Sequence, residues 1–350
     1  MNKILYQQKD FPIFQNRMYE SRYEAINCPK GDLVIVEDSK TGLVYNQAFK
    51  PELMKYDTHY QNEQALSPSF KQHLEFTSSI IEKFMDTELV EIGCGKGFFL
   101  ELLTEKGFNI TGFDPAYEGE NQKIKKQYFK PNICKKPQDL ILRHVLEHLQ
   151  DPVDFLFQLK KANGGKGKIY IEVPCFDWIC KQKAWFDIFY EHVNYFRLSD
   201  FHRMFDMIYD NGRSFGGQYL YIVADLSSLK VPYMDHNDLV EIPNDFMKIL
   251  KLDHNEIDCA IWGGASKGVI FSLLHERNSC PIKTVIDINP AKQNKFLPGT
   301  GLLVQSPLNA LKTLKLGSII YVMNSNYLKE IKEMSNNQYN YIGVDNIGLE

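Results

Sequence analysis

The sequence predicts an α/β chain organised on doubly wound, mainly parallel sheet, and three observations predict it. Residues 70–175 alternate short apolar runs with helix-like stretches, the pattern of parallel strands joined by crossover helices. The run Leu89-Val90-Glu91-Ile92 ends in Gly93, Gly95 and Gly97 and passes at once into a helix-like stretch from Phe98 to Lys106. Nearer the C-terminus, Cys259 to Trp262 runs into Gly263-Gly264-Ala265-Ser266-Lys267-Gly268 and another helix-like stretch. Each unit is Rossmann-like, and a small N-terminal lobe precedes both. The expected division is 1–68, 69–232 and 233–350.

A chain of 350 residues exceeds one ordinary domain. With 44% hydrophobic and 24% charged residues it has the composition of a soluble globular protein. A net charge of −4 offers no basic footprint for nucleic acid. No apolar run approaches membrane-spanning length and the N-terminus lacks a signal-peptide core, so a cytoplasmic protein is expected. Seven cysteines without a Cys-x-x-Cys pair are expected to be reduced and packed.

Residues 1–68 read as a small irregular lobe. Within it, Asp32 to Asn46 reads as a hairpin of two apolar runs around a polar turn. Tyr56 to Gln64, which includes Tyr60, is too polar for a core; it is either a solvated linker or a segment over the mouth of the next domain. Ser67-Pro68 supplies an N-cap and a first-turn proline. Phe70, Leu74, Thr77, Ile81 and Phe84 then recur at helical steps, giving a stripe that packs on a sheet.

Glycine lacks a Cβ, so the 93–97 loop can turn sharply and let its backbone approach a ligand facing the helix N-terminus. Asn109 to Asp114 is the next strand, ending in an acid 23 residues after Glu91, a placement that suits ribose hydroxyls. A dinucleotide fingerprint requires Gly-x-Gly-x-x-Gly; here the third glycine comes one position early and Phe98 fills the expected place. Asp139 to His144 is a further strand, Asp151-Pro152 starts a helix, and Lys168 to Pro174 is the strand after it. His144 and Glu147 could pair on a metal, but no third ligand stands at metal-site spacing. They are read instead as residues at the cofactor rim, and no metal is expected.

Trp185 to Phe196 surrounds Glu191, His192 and Asn194 with large rings. A histidine among aromatics is commonly a satisfied core residue. Clustered with Glu191, Asn194 and Tyr195 outside any amphipathic period, it is equally a candidate acid–base group whose pKa an apolar hollow would shift. Gly216 to Val223 reads as a loop and a strand closing the sheet, and Leu239 to Leu252 as an amphipathic helix. The 263–268 loop is not a P-loop, because Val269 follows Gly268. Ser266 and Lys267 there could hold a phosphate, or the unit could be kept for structure alone. Lys283 to Asn289 supplies its second strand, ending in Asp287.

Glu91-x-Gly93-x-Gly95-x-Gly97, with Asp114, resembles motif I of the class I S-adenosylmethionine-dependent methyltransferases. Arg143 to Pro152, Tyr190 to Phe196, Trp262 to Gly268, Asp287 to Lys292 and Phe296 to Thr300 further resemble the three-domain sugar C-methyltransferases. That resemblance implies methylation of a nucleotide-linked 4-keto-6-deoxy sugar at the carbon beside the ketone, with S-adenosylmethionine as donor and S-adenosylhomocysteine as product. It implies His192 as base, oriented by Glu191, with cofactor held by Glu91, Gly93, Gly95, Gly97, Asp114, Pro115, His144 and Glu147. Lys267 and its loop, with Ser266, would hold the substrate's diphosphate, and Asn194 and Tyr195 would contact the sugar. From residue chemistry, Tyr60, Tyr190 or Asn194 would donate to the enolate oxygen. The partner is then a small nucleotide sugar, not nucleic acid or a membrane.

Two features depart from the family. Its N-terminal lobe usually carries four zinc-binding cysteines, whereas only Cys28 lies in this lobe, so apolar packing must hold it. The family often has Tyr two residues before the catalytic Glu, where this chain has Phe189. Rival readings are an O- or N-methyltransferase, a nicotinamide oxidoreductase using the 263–268 unit, and a non-catalytic binding module.

Overall fold

The structure is a computed structural model describing residues 1–54, 67–85, 88–130, 136–247 and 259–345. In chain order the strands and helices begin with β1 (Lys3–Pro12), α1 (Arg22–Ile26), β2 (Lys30–Glu37) and β3 (Val44–Asn46). The middle of the chain forms α2 (Pro68–Phe84), β4 (Leu89–Ile92), α3 (Phe98–Glu105), β5 (Ile110–Phe113), β6 (Ile124–Lys125), β7 (Asp139–Arg143), α4 (Pro152–Ala162) and β8 (Lys168–Pro174). It continues through α5 (Phe176–Lys181), β9 (Asn194–Tyr195), α6 (Leu198–Met204), β10 (Ile208–Ser214) and β11 (Tyr219–Asp225). The last part holds β12 (Cys259–Trp262), α7 (Ser266–Arg277), β13 (Thr284–Ile286), β14 (Val304–Gln305), α8 (Pro307–Thr313), β15 (Ile319–Val322), α9 (Leu328–Met334) and β16 (Asn340–Gly343).

The central sheet has the order β10-β11-β8-β7-β4-β5-β6. Strands β6, β5, β4, β7 and β8 run parallel, and β11 lies antiparallel between β8 and β10. Alternation along the strands explains why helices cover both faces. Val90 and Ile92 on β4, with Leu140, Leu142, Ile169 and Ile171, pack on the face that carries Leu156 and Leu159 of α4. Leu89, Ile141 and Tyr170 point to the opposite face, against Phe70, Leu74 and Ile81 of α2 and Leu100 and Leu103 of α3. Buried side chains at alternate strand positions thus dictate a doubly wound sandwich. Ser67 caps α2 as expected, its hydroxyl accepting from Phe70 N–H.

The C-terminal sheet, ordered β14-β13-β12-β15-β16, is parallel throughout. Helix α7 is buried from Gly268 to His275, so it is covered on all sides rather than along one stripe. Its Phe271 stacks on Trp185, with ring centroids 5.4 Å apart and planes 10° from parallel.

The first lobe is more ordered than its sequence suggests. The expected hairpin is β2 and β3, but β1 adds a ten-residue strand along β2. Polar Gln7, Gln8, Lys9 and Asp10 disguise it; as an edge strand it buries Tyr6, Phe11 and Pro12 and leaves Lys3, Ile4, Gln7, Lys9 and Asp10 to solvent. The sheet is closed by β9, taken from the aromatic stretch over a hundred residues away. Phe11, Leu33, Ile35 and Val44 pack its interior. The amphipathic helix expected over Leu239–Leu252 is not formed in its described part, because 239–247 is coil and turn. Pro243 and the buried Phe246 there, together with the Val240 N–H donated to Glu37, fasten the segment to the first lobe and the core. None of the described helices is long and apolar enough to cross a membrane.

Candidate active site

The site is assembled at the carboxyl edge of the central sheet, around the loop between β4 and α3. Gly93, Gly95 and Gly97 all hold left-handed φ angles, 70°, 53° and 85°. At Gly93 an added Cβ would lie 2.5 Å from Val145 Cγ2, and at Gly97 2.3 Å from Ile124 Cδ1. The middle position faces open space, with no atom within 4 Å of a Cβ on Gly95. Beneath it Glu91 is buried on β4, and Oε2 has no hydrogen-bond partner among the described residues. Burial pushes its carboxyl up to about 7, opposed by Arg143 and reinforced by the charge of Asp114. Asp114, half-buried at the end of β5, accepts Gly95 N–H at 2.9 Å and Ala116 N–H at 2.8 Å. Pro115 beside it is exposed. A glycine cradle with an open middle and an unsatisfied buried carboxylate at its floor fits an adenosylated amino acid, which brings an ammonium group and ribose hydroxyls as donors.

His144 follows β7 with a left-handed φ of 53°. That conformation turns its ring between two buried carboxylates, 3.2 Å from Glu147 Oε1 and 3.2 Å from Glu172 Oε1. Burial disfavours its charge, but those hydrogen bonds and the two negative charges outweigh the penalty and raise its pKa to about 9. Glu172 lies outside the residues expected at the site, although a lone acid inside the apolar strand Lys168–Pro174 is a visible signal. It is fully buried and receives Arg143 through Nε and Nη2 at 3.0 and 2.9 Å, Tyr170 at 3.0 Å and His73 at 3.2 Å. Although burial works the other way, Arg143 and the two histidines hold its carboxyl well below the usual range. This network holds the His144 ring against Glu147 and Glu172, and leaves its side chain 26% exposed.

The aromatic stretch divides its rings among three neighbours. Trp185 and Phe186 pack on Phe271 of α7. Tyr190 lies against Gly31 and Phe49 of the first lobe, and its hydroxyl accepts Lys50 N–H at 2.9 Å. Phe189 covers His192, with ring centroids 4.0 Å apart. His192 is therefore enclosed. Burial, followed by repulsion from His148, His144 and Lys267, keeps its pKa well below the ordinary value, so the ring is neutral. Val193 N–H donates to Glu147 C=O at 2.7 Å, tying His192 to the turn after β7, whose Val145 lies under Gly93. The imidazole and the glycine loop thus share one sheet edge.

Other expected site residues are placed differently. Glu191 is buried with Oε2 accepting Gln15 N–H, and its backbone carbonyl receives His148 Nδ1–H at 2.8 Å. Asn194 donates to Leu146 and Leu149 carbonyls, and Tyr195 hydroxyl bonds both N–H and C=O of Phe189 at 3.1 Å. The Asn194 amide N–H groups, the Tyr195 hydroxyl and the Tyr190 hydroxyl are all engaged with backbone groups of the surrounding loops. Ser266 hydroxyl accepts from Asn16 at 2.9 Å. Lys267 lies 3.0 Å from Asp187 and 3.0 Å from Gln218, with Trp178 beside it. Tyr60 lies outside the described residues. His192 and His148 lie beside Glu147, and His144 sits between Glu147 and Glu172. Sequence spacing could not show this, because His192 arrives from 45 residues beyond Glu147.

Residues 58–207 match the model of a methyltransferase domain. This domain covers the glycine loop, Asp114, the 143–148 turn and the aromatic stretch. A ubiquinone biosynthesis O-methyltransferase of Rickettsia bellii is 32% identical over 108 residues, covering 27% of this chain and 45% of that protein. The chain thus spans about half the length of the curated relative it matches. Among solved structures, the PH0226 protein of Pyrococcus horikoshii is 13% identical with a TM-score of 0.37, covering 52% of this chain and 100% of the other. An S-adenosylmethionine-dependent methyltransferase of Mesorhizobium loti is 11% identical with a TM-score of 0.34, covering 45% and 98%.

Proposed function

We propose that this chain is an S-adenosylmethionine-dependent methyltransferase that C-methylates a nucleotide-linked keto-deoxy sugar, with His192 as general base. The observation carrying the reading is an enclosed imidazole tied to the turn whose Val145 lies under the three-glycine cradle. Glu91, Asp114 and the 93–97 loop would hold the cofactor, whose bound form supplies an electrophilic methyl group on a sulfonium. His192 takes the proton from the carbon beside the ketone and becomes imidazolium, and the C–H electron pair is left on the enolate that accepts the methyl group. Phe189 and the closed aromatic loop keep water from the carbanion. Lys267 is the cation for the substrate's diphosphate, displacing its contact with Asp187.

The test is a mass-spectrometric screen of sugar nucleotides with S-adenosylmethionine, seeking a gain of one methyl. His192→Ala should abolish turnover while leaving cofactor affinity nearly unchanged by calorimetry; a variant at full rate removes His192 from the chemistry. A second reading, transfer to oxygen, is favoured by the O-methyltransferase relative. Deuterated water separates them, since only carbon chemistry exchanges or loses the α proton of the ketone substrate.

A further inference from the structure

We propose that Glu147, His148 and His192 form a binding site for one divalent first-row transition ion, with Zn²⁺ as its best match. Their donor atoms all lie within 4.8 Å of one another, so small side-chain rotations bring them to bond lengths of ~2.0–2.2 Å. Two histidines and one carboxylate are a donor set that zinc accepts.

Two independent observations point into this space. Glu147 is 1% exposed and His192 is 9% exposed, yet Glu147 Oε2 and His192 Nδ1 have no hydrogen-bond partner among the described residues. Buried polar atoms left in that state are costly unless something fills the gap. The outer contacts are also those of ligands held in readiness. His148 donates Nδ1–H to the Glu191 carbonyl at 2.8 Å, which leaves the lone pair on Nε2. Glu147 Oε1 is held 3.2 Å from His144 Nδ1, which leaves Oε2 free. Metal-binding imidazoles and carboxylates are commonly oriented by such second contacts. The His148 and His192 ring centroids stand 5.0 Å apart in a T-shaped arrangement, which keeps the two imidazoles side by side.

Binding does not depend on the reading of His192 as base, but one consequence does: an imidazole that ligates a cation has no lone pair for a proton. The ion-loaded chain and the proton-abstracting chain are then alternative states.

The experiment is calorimetric titration of the full metal-stripped chain with Zn²⁺, in the absence of cofactor and substrate, followed by loading with Co²⁺. One ion per chain is expected, with affinity falling about tenfold or more in Glu147→Gln and in His148→Ala. The visible spectrum of the Co²⁺-loaded wild type serves even if a variant fails to fold. Bands of a four- or five-coordinate nitrogen–oxygen site support the proposal. Thiolate charge-transfer bands, an octahedral spectrum, no stoichiometric binding, or equal binding in both variants would overturn it. Loss of turnover in His192→Ala with zinc binding absent from the wild type leaves the methyltransferase reading standing and removes this one.

Discussion

The two strand–glycine–helix units of this chain share a frame and differ in what they leave open. In the first, Asp114 accepts Gly95 N–H at 2.9 Å; in the second, Asp287 accepts Gly264 N–H at 2.9 Å. Each acid also takes the N–H two residues further on, at 2.8 Å in both. The first loop then holds three left-handed glycines, open space beside Gly95, a half-exposed Asp114 and a buried Glu91 oxygen with no partner. In the second, Asp287 is buried with Lys292 at 3.9 Å, Ser266 is engaged by Asn16, and Lys267 by Asp187 and Gln218. Where an added Cβ on Gly268 would meet Gly263 O at 2.0 Å, the glycine serves helix–strand packing. Both units leave a buried polar atom without a partner among the described residues, Glu91 Oε2 and Asn289 Nδ2, so what sets the first loop apart is the open space beside Gly95 and the exposure of Asp114.

The contrast is broken or sharpened most strongly by removing each acid. Asp114→Ala should weaken S-adenosylmethionine binding about 10–100-fold, the loss of a hydrogen bond to a charged group, with little change in Tm. Asp287→Ala should do the reverse. It orphans two buried N–H donors, lowering Tm by about 4 °C or more while cofactor affinity holds. Calorimetry and thermal unfolding on both variants check the pair, and equal cofactor losses would erase the distinction.

A smaller effect is expected at Lys267. Lys267→Gln keeps a donor for Asp187 but removes the charge, and should cost about 1–2 kcal/mol of stability without altering cofactor affinity. If Lys267 also meets a diphosphate, the KM of the sugar nucleotide rises while the cofactor's stays fixed.

The smallest effect is a pH dependence. His144 has a folded pKa of about 9 against 6.5 for the ordinary ring, so its stabilising contribution is fully present below about pH 6.5 and is lost as pH rises through 9. Urea midpoints between pH 7 and 10 should fall in the wild type and fall less in His144→Gln. An unchanged slope would show that Glu147 and Glu172 do not hold the ring charged.

Much of the fold was legible because its signals are local. Ser67 and Pro68 at the start of α2, the apolar runs of β4, β5, β7 and β8, and the three glycines depend only on neighbours in sequence. Asp114 and Glu91 were legible for the same reason, since a strand end is marked by where its apolar run stops. The strand β1 was hidden because an edge strand needs few apolar residues, and the absent helix over 239–247 because helical spacing is overruled by contacts with the first lobe.

The sequence by itself determined the alternation of strands and helices, the position of the glycine loop and the residue types clustered around His192. Tertiary structure alone decided which polar atoms remained available. It placed Asn194, Tyr195 and Tyr190 against backbone, set Glu172 under His144, and brought His192 to Glu147 and His148. The reason is physical: propensity and periodicity act over a few residues, whereas the satisfaction of a buried polar group depends on whatever the folded chain brings within 3 Å of it.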